Sequence, residues 1–297
     1  MKRWLETRKL ARKGEIRSVG KFSLMVRRFC RNKAAVASLV FILLLILIAV
    51  FADVLTPYDY DAQNLSEKLR QPSAAHWFGT DDFGRDILTR VFVGTRVSLL
   101  VSILAVGIST VFALVIGSIA GYFGGAVDNV IMRITDIFMA LPGMLFAMTV
   151  SAALGTGIWN TAIALGFTSI APIVRQVRAS ILLLKDQEFI EASKAFGSGN
   201  TVIIVRHVIP NAFAPLIVQI ALRLGDTIMA ISGLSFLGLG VQPPTPEWGN
   251  MVSVGKDYMS EFLPLILFPG IFVILTMLAF NLLGDGMRDA MDPRMKR

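Results

Sequence analysis

Arg223 and Asp226 stand three residues apart inside a long apolar run of this 297-residue sequence. That spacing puts both on one helix face. Ionisable groups at membrane depth are costly, so they pair with each other or line a polar cavity. The two uses are thus a self-neutralising ion pair and the lining of a pathway that meets a charged solute. Other chemistry finds little to work with. His76 and His207 are the only histidines and Cys30 the only cysteine, so neither a His-based metal site, a Cys/His nucleophile pair nor an intrachain disulfide is expected. In HWFGTDDFGRD, Asp81, Asp82 and Asp86 lie among Gly79, Thr80, Gly84 and Arg85. The spacing is not that of an EF-hand, and a loop folded against the outer mouth is the expectation. The nearest approach to a phosphate loop, GEIRSVGK at Gly14 to Lys21, is one residue too long and is followed by Phe22. ATP is therefore not expected to bind this chain, and with Asp226 the one clear carboxylate in a span, ion coupling is thinly supplied too. What remains is a conduit driven by something else.

The elements that must hold such a conduit are apolar helices. Hydrophobic residues make up 54% of the chain, charged residues 17%, and the mean hydropathy is +0.64, which points to the membrane class rather than a soluble domain. Six runs are long enough to span: 34–53, 97–121, 137–154, 157–174, 212–240 and 263–284. A soluble protein with buried helices would need amphipathic faces, whereas Phe41 to Ala52 is apolar all round. That first run also exceeds a cleavable signal and lacks an A-x-A site. Twelve of the 29 Lys and Arg precede residue 34, and the segments 122–136, 175–211 and the tail after 284 hold most of the other loop cations. The positive-inside rule then puts both termini in the cytoplasm. The net charge of +8 is read as a topology signal, not as nucleic-acid binding.

The expected class is all-α, polytopic, with six transmembrane helices. Its parts are a basic N-terminal segment (1–33), a first span (34–53), an outer loop (54–94), a core of five spans (95–284) and a cytoplasmic tail (285–297). Phe22, Met25, Val26 and Phe29 recur at helical spacing among basic residues, which predicts an interfacial helix on membrane lipid over 19–33; residues 1–18 read as a disordered basic tail. Gly117, Gly121 and Gly125 predict one side-chain-free face for close helix packing. Pro142 and Pro172 predict kinks in the third and fourth spans.

Between spans four and five the chain reads EASKAFGSGNTVIIVRHVIPN, residues 191–211. Phe189, Ser193 and Phe196, with Ala192 beside them, fall on one helical face, while Glu188, Glu191 and Lys194 add charge. Gly197 tolerates the left-handed geometry that ends a helix. Such a knob suits a groove in a partner. The stretch resembles the signature loop of bacterial ABC-importer permeases, with Glu191, Ala192, Gly197 and Pro210 at matching positions; Ser193, His207 and Ile209 stand where that pattern has Ala, Ile and Leu. FGTDDFGRD (Phe78 to Asp86), GYFGGAVDNVIMRITDI (Gly121 to Ile137), LSFLGLGVQPPTPEWG (Leu234 to Gly249) and FNLLGDGMRDAMDP (Phe280 to Pro293) resemble the C-type permease of dipeptide and oligopeptide importers. The resemblance implies a coupling helix around Glu191 to Gly197 and a second permease chain. It also implies two ATPase subunits that use ATP and Mg, an extracytoplasmic binding protein, and residence in the bacterial inner membrane. It implies no catalysis, cofactor or metal in this chain. Peptides are the implied solute, with glutathione, nickel or oligosaccharides as alternatives. The spans offer no His or Cys for nickel. A sensor or scaffold that docks an ATPase without flux, and a secondary carrier following an ion gradient, are the rivals.

Overall fold

The structure, a computed structural model, describes residues 21–291. The tail read over 1–18 and the end of the 285–297 segment lie outside the described residues. Helix α1 (Lys21–Arg31) carries the predicted interfacial stretch and packs beside the last helix. Asn32 then caps α2 (Lys33–Leu55), its side-chain oxygen accepting from the Ala35 amide at 3.2 Å. Leu43, Leu44, Leu47 and Val50 on α2 are exposed. In water they would form an aggregating patch, and in a bilayer they meet lipid.

Helix α3 (Ile87–Phe123) runs for 37 residues and starts ten residues before the expected second span. It takes in the last eight residues of the sequence assigned to the outer loop, 87–94. The cause is local: Asp86 Oδ2 accepts from the Thr89 amide at 2.8 Å and from its hydroxyl at 2.7 Å, which fixes the helix start. At 1.5 Å per residue the helix is about 55 Å long against a hydrocarbon core of about 30 Å, so it projects from the membrane.

The third span departs furthest from expectation. Residues 122–136, expected as a loop, are mostly helix: α4 (Gly125–Ala140) is followed by α5 (Gly143–Leu154), and the two meet at 89°. Leu141 is extended (φ −81°, ψ 132°) because the ring of Pro142 disfavours helical geometry in the residue before it. Pro142 breaks the span rather than kinking it. Among the described residues, five helices are each long and apolar enough to cross a membrane, and the bent pair makes a sixth crossing if counted as one. Pro172 lies inside α6 (Ile158–Leu184), as expected.

After α7 (Glu188–Ala195), a short α8 (Asn200–Ile203) leads through a π turn at Ile204–Val208 into α9 (Ile209–Phe236). Pro210 has no amide hydrogen to donate, and the Ile209 amide reaches back five residues to the Ile204 carbonyl. Helix α10 (Trp248–Gly255) lies between the last two spans, and α11 (Pro264–Met291) closes the bundle.

The closest pairing is α3 with α6. A Cβ on Gly117 would lie 2.8 Å from Val177 Cβ, and one on Gly121 would lie 2.9 Å from Ile181 Cβ. The small-residue face therefore exists, but Gly125 is no part of it. Gly125 opens α4 with φ +56° and nothing within 4 Å of an added Cβ.

Candidate functional site

At one end of the bundle, α7 presents the predicted knob, with one correction. Ile190 (0% exposed) and Ser193 (9%) face inward, and Ile190 joins the core formed by Val177 and Ile181 of α6 with Val208, Ala212 and Leu216. Ser193 therefore does not share a face with Phe189 (40% exposed) and Phe196 (91%). On an eight-residue helix the inward stripe takes i and i+3, and the phenylalanines are left outside with Glu188, Glu191, Ala192 and Lys194. Gly197 ends the helix at φ +81°. Its amide bonds to the Lys194 carbonyl, and that of Ser198 to the Ser193 carbonyl, at 2.9 and 3.1 Å. An added Cβ there would meet nothing, so the backbone angle, not space, calls for glycine.

Sequence reasoning passed over the braces of this end. Arg178 on α6 donates through Nε and Nη2 to both oxygens of Asp128 on α4, and Arg175 Nη2 pairs with Asp136. The Tyr122 hydroxyl bonds to Asn200 Oδ1 at 2.9 Å, while Lys194 Nζ sits 5.8 Å from the Tyr122 ring centre. Helices α3, α7 and α8 meet there. The two aspartates eight residues apart in GAVDNVIMRITDI were the available signal.

At the opposite end the HWFGTDDFGRD loop folds on itself. Asp81 Oδ1 accepts from the Phe83 and Arg85 amides at 2.8 and 2.9 Å, and Oδ2 from Arg85 Nε at 2.7 Å. His76 Nδ1 meets the free oxygen of Asp86 at 2.9 Å and Nε2 lies 3.5 Å from Glu67. Thr80 Oγ1 accepts from the Arg70 amide and donates to the Glu67 carbonyl. Gly79 and Gly84 have φ of +81° and +73°, and a Cβ on Gly84 would sit on the Asn64 carbonyl. Asp82 is less settled. Burial, then the neighbouring Asp81, pushes its carboxyl above the usual value, against the pull of Arg85.

This hub continues into a residue that sequence reasoning quoted but gave no role. Glu247 is fully buried and caps α10, accepting from the Asn250 amide at 3.0 Å and from Ser98 Oγ of α3 at 3.1 Å. Burial pushes its carboxyl up, while the amides of Gly249 and Asn250 and the Ser235 and Ser98 hydroxyls pull it down. Trp248 Nε1 donates to the Val91 carbonyl at 3.1 Å, and Gly249 packs directly on Ser232. Helix α10 is thereby fastened to α3 and α9 together.

Between the two ends lies a recess of about 180 Å³, where Arg223 and Asp226 of α9 face Thr168 and Ser169 of α6 and the start of α5 at Gly143 and Met144. Both charges sit near the middle of their span. Of the two uses open to them, the ion pair does not form. Among the described residues neither side chain has an ion-pair or hydrogen-bond partner. The geometry retains the other use, a polar lining within an apolar bundle.

The family described as "Binding-protein-dependent transport system inner membrane component" matches residues 113–297. The family "N-terminal TM domain of oligopeptide transport permease C" matches residues 21–72. The Dipeptide transport system permease protein DppC of Alkalihalophilus pseudofirmus is 46% identical over 266 residues, covering 90% of this chain and 88% of its own length. Glutathione transport system permease proteins GsiD of Pectobacterium atrosepticum and Escherichia coli O6:K15:H31 are 43% and 44% identical over 274 residues. Each covers 91% of this chain, and 90% and 89% of its own length.

Proposed function

Since the chain belongs to the binding-protein-dependent transport inner-membrane components, as a C-type permease subunit of ABC importers, we propose that it carries di- and oligopeptides through a pathway shared with a second, homologous permease chain. An extracytoplasmic binding protein delivers the peptide to the outer end. Two ATPase subunits dock at the other end, in the cytoplasm, where both termini of this chain also lie. They hold the ATP and Mg, and this chain does no catalysis.

The observation that carries this reading is the form of α7. A short helix exposes Phe189, Phe196 and Glu191 while Ile190 anchors it in the core of α6 and α9. Force applied to the phenylalanines is transmitted through a close-packed cluster, which resists compression, to two membrane helices. One of them carries Arg223 and Asp226, the proposed lining of the pathway. ATPase closure and the reorientation of that lining are then parts of one rigid movement.

Affinity-tagging the chain and extracting it gently should copurify one further permease and two ATPases, and vesicles with the binding protein should take up labelled di- and tripeptides only with ATP. Glu191→Lys should leave the chain folded and lower that uptake at least about tenfold, because a reversed charge at a docking surface costs several kcal/mol. Normal uptake by that variant would refute the coupling role. Glutathione is the second reading, on the strength of the relatives at 43% and 44% identity. Competition between glutathione and dialanine for uptake separates the two.

A further inference from the structure

We propose that the mid-span recess reads the two ends of the passing peptide, Arg223 receiving the terminal carboxylate and Asp226 the terminal ammonium; this rests on the peptide reading above. Two opposite charges stand one helical turn apart on α9, at the depth where an unpaired charge is most costly, and the fold does not join them. A sequence under no demand but stability would have paired them or left them out. A zwitterionic solute satisfies both at once, whereas a singly charged or neutral solute leaves one charge unmet.

The rest of the recess suits that task. Helix α5 starts at Gly143 directly from the break at Pro142, with no side chain capping it, and this helix start lines the recess. It adds partial positive charge where a carboxylate would sit beside Arg223. Thr168 and Ser169 line the other wall. At about 180 Å³ the space has room for the two charged ends of a short peptide and little besides, well short of a whole drug-sized ligand. Recognition therefore falls on the groups every short peptide shares and spares the side chains that differ. A carrier can in this way accept many sequences and refuse a blocked end.

The test uses the complete complex in proteoliposomes with its binding protein and ATP. Trialanine, trialanine amide and N-acetyl-trialanine are supplied at concentrations that saturate the binding protein. Arg223→Gln should lower trialanine uptake about tenfold or more and abolish the preference for trialanine over its amide, while the preference over the acetylated peptide persists. Asp226→Asn should do the reverse. Should Arg223→Gln fail to assemble, Arg223→Lys keeps the charge and should keep the preference for a free carboxylate. Equal losses for all three peptides, loss of assembly in Arg223→Lys as well, or preferences unchanged in both variants would overturn the proposal, the last by assigning end selection to the binding protein. A wild-type complex that moves no peptide at all refutes the proposed function; peptide uptake in wild type with uniform variants refutes this inference alone.

Discussion

The hub around Asp81 and the mid-span recess use the same residue types to opposite ends. In the hub, Asp81, Asp86 and Glu247 have their oxygens met by arginine, histidine, hydroxyl or amide donors of the same chain. In the recess, Arg223 and Asp226 are left without partners among the described residues. A charge whose bonds are complete holds geometry, and one whose bonds are open is available to something that arrives. The hub is thus the rigid frame on which α3 and α10 are set, and the recess is where the frame leaves electrostatic work undone.

Substitutions at four positions test how deep that contrast goes. Asp86→Ala should have the largest effect on stability: it removes the cap of α3 and the partner of buried His76, at about 3 kcal/mol or more, read as a lower melting temperature of the extracted complex. If it melted like wild type, the hub would not be the frame. Glu247→Ala should follow at about 2–3 kcal/mol, because Ser98 and the Asn250 amide lose their acceptor inside the protein. Glu247→Gln, which keeps an acceptor oxygen and removes the buried charge, should cost much less.

Asp82→Asn should act in the other direction, as the exception within the hub. Its carboxyl titrates above 3.8 in the folded chain, so the folded state holds that proton more tightly than the unfolded state does. The stability this gives is complete below about pH 4 and is lost as pH rises through the raised value. The variant should therefore melt slightly higher than wild type at pH 7 and show no gain near pH 3.5; equal melting at both would remove Asp82 from the argument. The smallest loss should come from Arg223→Ala, which removes a charge with no partner among the described residues and should melt no lower than wild type. A loss as large as that of Asp86→Ala would mean that Arg223 is part of the frame after all.

Much of this was legible in the sequence, and the exceptions share a cause. Apolar run length placed five spans on long apolar helices, with two of them, Ile87–Phe123 and Ile158–Leu184, running about ten residues past the expected ends, since the signal depends on composition averaged over about 20 positions. Helix α7 was legible because its termination by Gly197 is local chemistry. Misreadings fell where one residue's backbone or partner overrode the average. Pro142 split the third span, Asp86 moved the start of α3 out of the membrane, and Pro210 imposed the π turn. The inward turn of Ser193 could not be read from the helix alone, because the face a short helix buries is chosen by what lies beneath it, here the cluster around Ile190.

The sequence by itself determined that this chain is all-helical, crosses a membrane several times, lacks the G-x-x-x-x-G-K-[ST] pattern, and places Arg223 and Asp226 on one helix face. Only the tertiary structure decided that those two charges remain apart, that Glu247 is sealed beneath α10, and that Asp81 and Asp86 are consumed by their own fold. The reason is physical. Span length and helix register are set along the chain by neighbours within a few residues, whereas the fate of a charge depends on which donors distant segments bring within about 3 Å of it.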